Sequence, residues 1–302
     1  KISEKNKLKK FIKKNYGKNH ILSRDDKILN WYYLDFKKYN FLIKIHKNKI
    51  LGFLGYIKNS RFNMNKSDDI IWLSPWSKLK KNKINFSGIE FIHHFQKKFK
   101  KYISATTGCN DKAKKIFQIL GFKVGQLNHY YLLNRKLNKF YLYNINKKKI
   151  NKKITLSKKY EIKKISKLEL LKIKYDKKKD YLYFKNKYED NPFYNYFFLT
   201  ILKKKRPHGF FVCRISSFNK RDALRIVDFN GDHKIIKHLG GELIKFIEHN
   251  GYEYLDFYNF GINKKYFLNA GFNEVNNKVV IPNYFEPYVR KNIKINFAVY
   301  PK

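Results

Sequence analysis

The chain has 302 residues, enough for two domains, and its 43% hydrophobic and 18% aromatic content excludes a disordered polyelectrolyte. The net charge of +45 is spread from Lys1 to Lys302, as a compositional bias toward Lys, Asn and Ile produces, whereas a nucleic-acid binder gathers its charge on one face or tail. Nucleic acid is therefore an open partner but not the preferred one, and the charge would still draw in anionic small molecules. Cys109 and Cys213 stand far apart with no C-x-x-C pattern, which gives neither a zinc site nor a disulfide framework. No apolar run approaches the roughly 20 residues of a bilayer span and no secretory leader pattern opens the chain, so the expectation is a cytoplasmic protein without metal.

Leu8, Phe11 and Ile12 recur at helical spacing and predict a helix within 1–20; a second, shorter one covers Asp26–Leu34. Tyr39–Ile45 and Ile50–Ile57 are β-rich and joined by a hairpin signal at His46-Lys47-Asn48-Lys49, and Asp69–Trp76 is the next strand. Gly88 opens an amphipathic helix carrying Ile89, Ile92, Phe95 and Phe99 on one stripe. Tyr102–Thr106 reads as a strand and Asn110–Leu120 as a helix capped by Asn110 and ended by Gly121. Phe122–Val124 and His129–Leu133 close this unit as strands.

Residues 144–159, dominated by Lys, Asn and Ile, read as a linker between domains at 1–143 and 160–302. The second half opens with a strand at Tyr160–Ile165 and helices at Lys167–Ile173 and Tyr181–Tyr188. A hairpin of Tyr196–Lys203 with Gly209–Ser216 follows, then a strand at Asp222–Phe229 and a helix at His233–His249. A strand at Tyr252–Tyr258, a short helix at Ile262–Asn269 and final strands complete it. Both halves end their last helix in Gly-Phe, at Gly121-Phe122 and Gly271-Phe272, and the repeat of about 150 residues is a whole domain.

The strongest motif is Asn110-Asp-Lys-Ala113-Lys-Lys-Ile-Phe117-Gln-Ile-Leu-Gly121-Phe122, placed between two strands. It resembles the helix beside the coenzyme A tail in the GCN5-related N-acetyltransferases. The resemblance implies two tandem acyl-CoA N-acyltransferase-like α/β domains, each a mixed, mainly antiparallel sheet flanked by helices. It implies acetyl-CoA or another acyl-CoA as co-substrate and a small primary amine as acceptor, for which an amino sugar or nucleotide-linked amino sugar is the preferred form. The family's phosphate turn is matched best by Lys83-Ile-Asn-Phe86-Ser-Gly88, with Lys83 at the cationic position, Gly88 as last glycine and Phe86 in place of the first. Cofactor contacts are expected at Leu73, Ser74, Lys83, Ser87, Gly88, Ile89, Asn110, Ala113 and Phe117, around a cleft between Ser74 and Thr107.

For catalysis the family uses a base and often a Tyr in the last helix, where this chain has Phe117. His129, Tyr130 and Asp228 are the candidate replacements: an imidazole with a near-neutral pKa, a neighbouring phenol, and a carboxylate in an apolar strand that must be paired or functional. The second domain keeps the Gly-Phe end but no phosphate turn, and Asp232 would repel a pyrophosphate, so it is expected to shape the acceptor site. Two rivals remain: a polyanion-binding protein on a degenerate scaffold, and a tRNA-dependent aminoacyl transferase, which usually carries a long helical-hairpin insertion not visible here.

Overall fold

The computed structural model describes residues 4–18, 20–63, 70–79, 86–142, 144–145, 159–168, 173–175, 179–282 and 290–301. Two compact units are formed, Lys1–Gln126 with Lys294–Lys302, and Leu127–Ile293. In the first unit the chain runs through α1 (Lys5–Tyr16), α2 (Ile21–Arg24) and α3 (Asp26–Tyr33), then β1 (Leu34–Asp35), β2 (Lys38–Tyr39), β3 (Phe41–His46), β4 (Lys49–Lys58) and β5 (Ile70–Lys78). α4 (Ile89–Lys98), β6 (Ile103–Cys109), α5 (Asp111–Ile119) and β7 (Lys123–Gln126) follow. The second unit holds β8 (Asn128–Leu133), β9 (Asn144–Ile145), β10 (Glu161–Ile165), α6 (Tyr181–Phe184), β11 (Tyr196–Lys203), β12 (Arg206–Phe218) and β13 (Arg221–Gly231). It continues with α7 (Gly240–His249), β14 (Tyr254–Asn259), α8 (Lys264–Asn269), β15 (Asn273–Glu274) and β16 (Val279–Val280), after which β17 (Asn296–Tyr300) belongs to the first unit again.

The helices are where apolar spacing puts them. α1 buries Leu8, Phe11 and Ile12, and α4 buries Phe91, Ile92 and Phe95 while its lysines stay in water. α4 and α5 cover one face of the first sheet, packing on Leu54, Tyr56, Ile71, Leu73 and Ala298. In the second unit α7 and α8 cover the matching face, over Leu224, Ile226, Leu255 and Phe257.

Strand order differs from the expected division into 1–143 and 160–302. The first sheet runs β3-β4-β5-β6-β17-β7, the second β10-β11-β12-β13-β14-β8-β15. β8, expected to close the first domain, pairs with β14 and β15 in the second unit, and the C-terminal β17 lies between β6 and β7 in the first. Apart from the edge strand β10, the two orders correspond one for one, which supports internal duplication. The reason is hydrogen bonding: β17 pairs the edge of β6 away from β5 and joins β7 to the sheet.

The helix expected over His233–His249 is broken. A 3-10 turn covers His233–His238 and α7 starts afresh at Gly240. Gly240 packs so tightly on the end of α8 that a Cβ there would sit 1.6 Å from the Ala270 carbonyl oxygen. Most of the expected linker (146–158) and of the expected helix at Lys167–Ile173 (169–172) lies outside the described residues. Among the described residues the longest helix is α1 at 12 residues, and none is long and apolar enough to cross a membrane.

A chain shortened by residues 294–302 should lose the order of the first unit while keeping that of the second. Hydrogen exchange should show β6 and β7 deprotected and β12–β14 unchanged; equal protection of both units would contradict the strand assignment.

Candidate functional site

Each sheet contains one parallel junction that opens into a wedge. β5 and β6 pair only at Ile70–Ile103, Ile71–Ser104 and Trp72–Ala105, after which β5 continues to Lys78 and β6 to Cys109 without a shared ladder. In the second unit β13 and β14 pair only at Leu224–Leu255, Arg225–Asp256 and Ile226–Phe257. A bulge on the strand before each opening, opposite Gly55 in β4 and at Val227 in β13, turns the strand away from its parallel neighbour. The first wedge opens between Leu73–Lys78 and Thr106–Cys109, which is the place expected for the cleft.

Side chains of the first unit already engage this wedge. The ladder between β4 and β5 makes Phe53–Ser77 a hydrogen-bonded pair, so Trp76 turns its own backbone groups away from β4 and toward the opening. The Tyr16 hydroxyl donates to the Trp76 carbonyl at 2.7 Å, and burial pushes the Tyr16 pKa up to about 12, so it remains a donor. Tyr33 donates to the Ser74 carbonyl at 2.7 Å. The Trp76 ring lies 5.6 Å from that of Phe117, and a Cβ on Gly88 would meet it at 3.3 Å.

The nine expected cofactor positions fall as follows. Leu73 and Phe117 are buried in the core between sheet and helices, and Ala113 packs half-buried at its margin. Asn110 caps α5 by accepting from the Ala113 N–H at 2.9 Å, and its Nδ2 takes no part in that cap. Gly88 and Ile89 form the start of α4, Ser74 and Ser87 are exposed, and Lys83 lies outside the described residues. At the start of α4 the Glu90 carboxylate accepts from the Ser87 N–H at 2.9 Å, and the Ser87 hydroxyl accepts from the Ile89 N–H at 3.3 Å. Phe86 is buried against Phe91. Two donors at the start of α4, the Ser87 and Ile89 N–H groups, are thus spent on a capping box, and the carboxylate adds negative charge.

The acid–base candidates all lie in the second unit. His129 on β8 is buried, stacks on Tyr258 at 3.6 Å and shares a 2.7 Å hydrogen bond through Nε2 with Asp256 Oδ2. Arg225 donates to the same oxygen at 2.6 Å, to the Pro282 carbonyl at 2.7 Å and to the Tyr254 hydroxyl at 2.9 Å. Burial lowers the His129 pKa and Arg225 adds to this, outweighing the pull of Asp256, so the ring is neutral and donates Nε2–H. Asp256 Oδ1 is buried with no hydrogen-bond partner. Tyr130 points to the opposite face, stacked on Phe267 at 4.2 Å. Asp228 accepts from Lys179 at 2.6 Å and from the Tyr188 hydroxyl at 2.9 Å. Burial raises its pKa, but Lys179, Lys187 and the Phe229 amide outweigh that and hold it below the ordinary value. The partner of Asp228 is therefore a lysine, and Arg225 goes to Asp256.

Sequence reasoning missed Asp256, although its signal was the one that singled out Asp228: a carboxylate inside an apolar strand. It also missed Trp76, Glu90 and Tyr16, whose roles depend on register. Among the described residues no group of three or more His, Cys, Asp or Glu could hold a metal ion.

No protein-family model and no curated protein sequence matches the chain. Among solved structures, a GCN5-related N-acetyltransferase from Anabaena variabilis aligns over 99% of this chain and 70% of its own, with a TM-score of 0.56 at 10% identity. Another from Sphaerobacter thermophilus aligns over 99% and 92%, with a TM-score of 0.52 at 6% identity. The chain has the GCN5-related N-acetyltransferase fold. That acetyltransferase fold spans both units, because the alignments cover nearly the whole chain.

Two outcomes follow for the buried triad. Asp256→Ala should destabilise the protein by about 3–5 kcal/mol, because it takes the carboxylate away from the buried Arg225 guanidinium; a loss under 1 kcal/mol in denaturant unfolding would contradict the pairing. His129, with a pKa below its ordinary 6.5, binds fewer protons folded than unfolded, so stability falls as pH drops below that value. His129→Gln should remove up to one proton's share of that slope, about 1.4 kcal/mol per pH unit, in unfolding curves between pH 7 and 5.

Proposed function

We propose that the protein is an N-acyltransferase that takes an acyl group from an acyl-CoA thioester held in the first unit's wedge. The acceptor is a small primary amine, an amino sugar among them. The observation that carries this reading is the opening of β5 from β6 beside the Asn110-capped helix α5. An extended amide-bearing arm fits such an opening, because strand edges without a ladder partner offer N–H and C=O groups to it, with the Ser74 and Trp76 carbonyls already accepting from Tyr33 and Tyr16. In the reaction the amine nitrogen bonds to the thioester carbonyl carbon, the C–S bond breaks, the amine proton passes to a base and the thiolate is reprotonated from solvent. Phe117 has no hydroxyl to supply that proton. None of the three candidates is assigned as that base, because His129, Tyr130 and Asp228 all belong to the second unit; His129 is buried and held by Asp256. Tyr130 and Asp228 are engaged in stacking and in an ion pair.

A second reading, a polyanion-binding scaffold without catalysis, is favoured by one observation: Glu90 occupies the Ser87 N–H at the start of α4. Ligand binding separates the two. Acetyl-CoA at a hundredfold excess over its Kd should raise the melting temperature by on the order of 5 °C. Adenosine 3′,5′-bisphosphate, which lacks the thioester arm, should give a smaller rise. No rise with acetyl-CoA would sink the acyltransferase reading in favour of the scaffold.

A further inference from the structure

Among the described residues, four strand pairs are joined by two-residue loops. In three of them, Lys47-Asn48, Lys204-Lys205 and Asn219-Lys220, both residues have positive φ, the type I′ pattern, and only polar side chains stand at the tip. The fourth joins β1 to β2: Asp35 pairs with Lys38, and between them Phe36 has φ 53° while Lys37 does not have positive φ. A single positive φ at the first loop position is where type II′ turns take glycine, and a bulky residue is strained there. Phe36 is also 96% exposed, the most exposed large apolar side chain among the described residues. Asparagine would relieve the strain and lysine the exposure, and the other three loops carry only those two residue types. Strain and exposure both act against phenylalanine at this tip, so its presence calls for a role outside the folded chain.

We propose that Phe36 is a membrane-contact residue, inserting at the surface of an anionic bilayer. A side chain projecting from a two-residue turn offers no groove for a small ligand, whereas a bilayer interface accepts a single protruding aromatic ring. Lys37 and Lys38 flank it in exposed positions, and the nearby Asp35 carboxylate is neutralised by Lys58 at 3.1 Å. The tip is therefore locally positive on a chain of net charge +45, and it couples one apolar anchor to basic neighbours at headgroup level. Such a contact is peripheral and requires no crossing helix.

The test is co-sedimentation of the full chain with vesicles of phosphatidylglycerol and phosphatidylcholine, and with phosphatidylcholine alone. Wild type should bind the mixed vesicles and not the neutral ones. Phe36→Gly should weaken binding about tenfold while raising the melting temperature, since it removes the exposed anchoring ring and the strain together. Phe36→Leu, still apolar, should keep most of the affinity. Equal binding by Phe36→Gly and wild type would overturn the proposal, leaving general charge attraction. Failure of wild type to bind mixed vesicles would overturn it too. So would a Phe36→Gly loss that is larger for a single-stranded oligonucleotide than for vesicles, which would make the ring a base-stacking group.

Discussion

The hydrogen bonding of β17 between β6 and β7 is the constraint on which the first unit depends. β17 is antiparallel to both neighbours, and Ala298 at its centre is fully buried under the helices. Its first residue, Asn296, donates to the Cys109 carbonyl at 3.1 Å and to Asp111 at 2.9 Å, tying the end of β6 to the first turn of α5. The residues that hold the mouth of the first wedge thus include one from the far end of the sequence. In the second unit β8 fills the corresponding place, and it brings His129 to Asp256. The first sheet is therefore not complete until the chain has passed through the second unit.

The two units share one backbone plan and differ in their side chains. The parallel junction and bulge recur in both units, so the wedge is a property of the backbone. What lines it differs. The first unit places Trp76, Phe117 and the Tyr16 hydroxyl at its opening, with an acid-capped helix beyond. The second unit carries a buried charge pair on the opposite face of its sheet, where Arg225 and Asp256 are held in register by β13 and β14. An ion pair so deeply buried gains from mutual attraction only what desolvation does not take back, so its geometry has to be tightly satisfied. The hydrogen bonds from Arg225 to Pro282 and Tyr254 provide that.

Local patterns in the sequence were enough to locate most elements, because helical spacing of Leu8, Phe11 and Ile12 or the cap at Asn110 depends on neighbours a few residues away. The order of helices and strands and the repeated Gly-Phe helix ends were legible in this way, while the mixed-sheet tandem architecture was implied by the family resemblance of Asn110–Phe122. Strand partners were not legible. β8 looks like the natural end of the first half because it follows β7 directly, and nothing within Asn128–Leu133 says which sheet it joins. The same limit hid the role of Trp76, whose backbone direction follows from the register with β4, and of Asp256, whose partners lie 31 and 127 residues away. Gly88 was read as part of a phosphate turn from its spacing, whereas its close packing on Trp76 is a tertiary fact.

The central claim is that an acyl-thioester arm lies along the facing edges of β5 and β6 beyond their shared ladder. Hydrogen–deuterium exchange on the full chain, with and without acetyl-CoA, reads those edges directly. The account predicts slower exchange at Leu73–Lys78 and Thr106–Cys109 and little change at Phe229–Gly231 and Tyr258–Asn259. Protection confined to the second unit's wedge, or to neither, would contradict it.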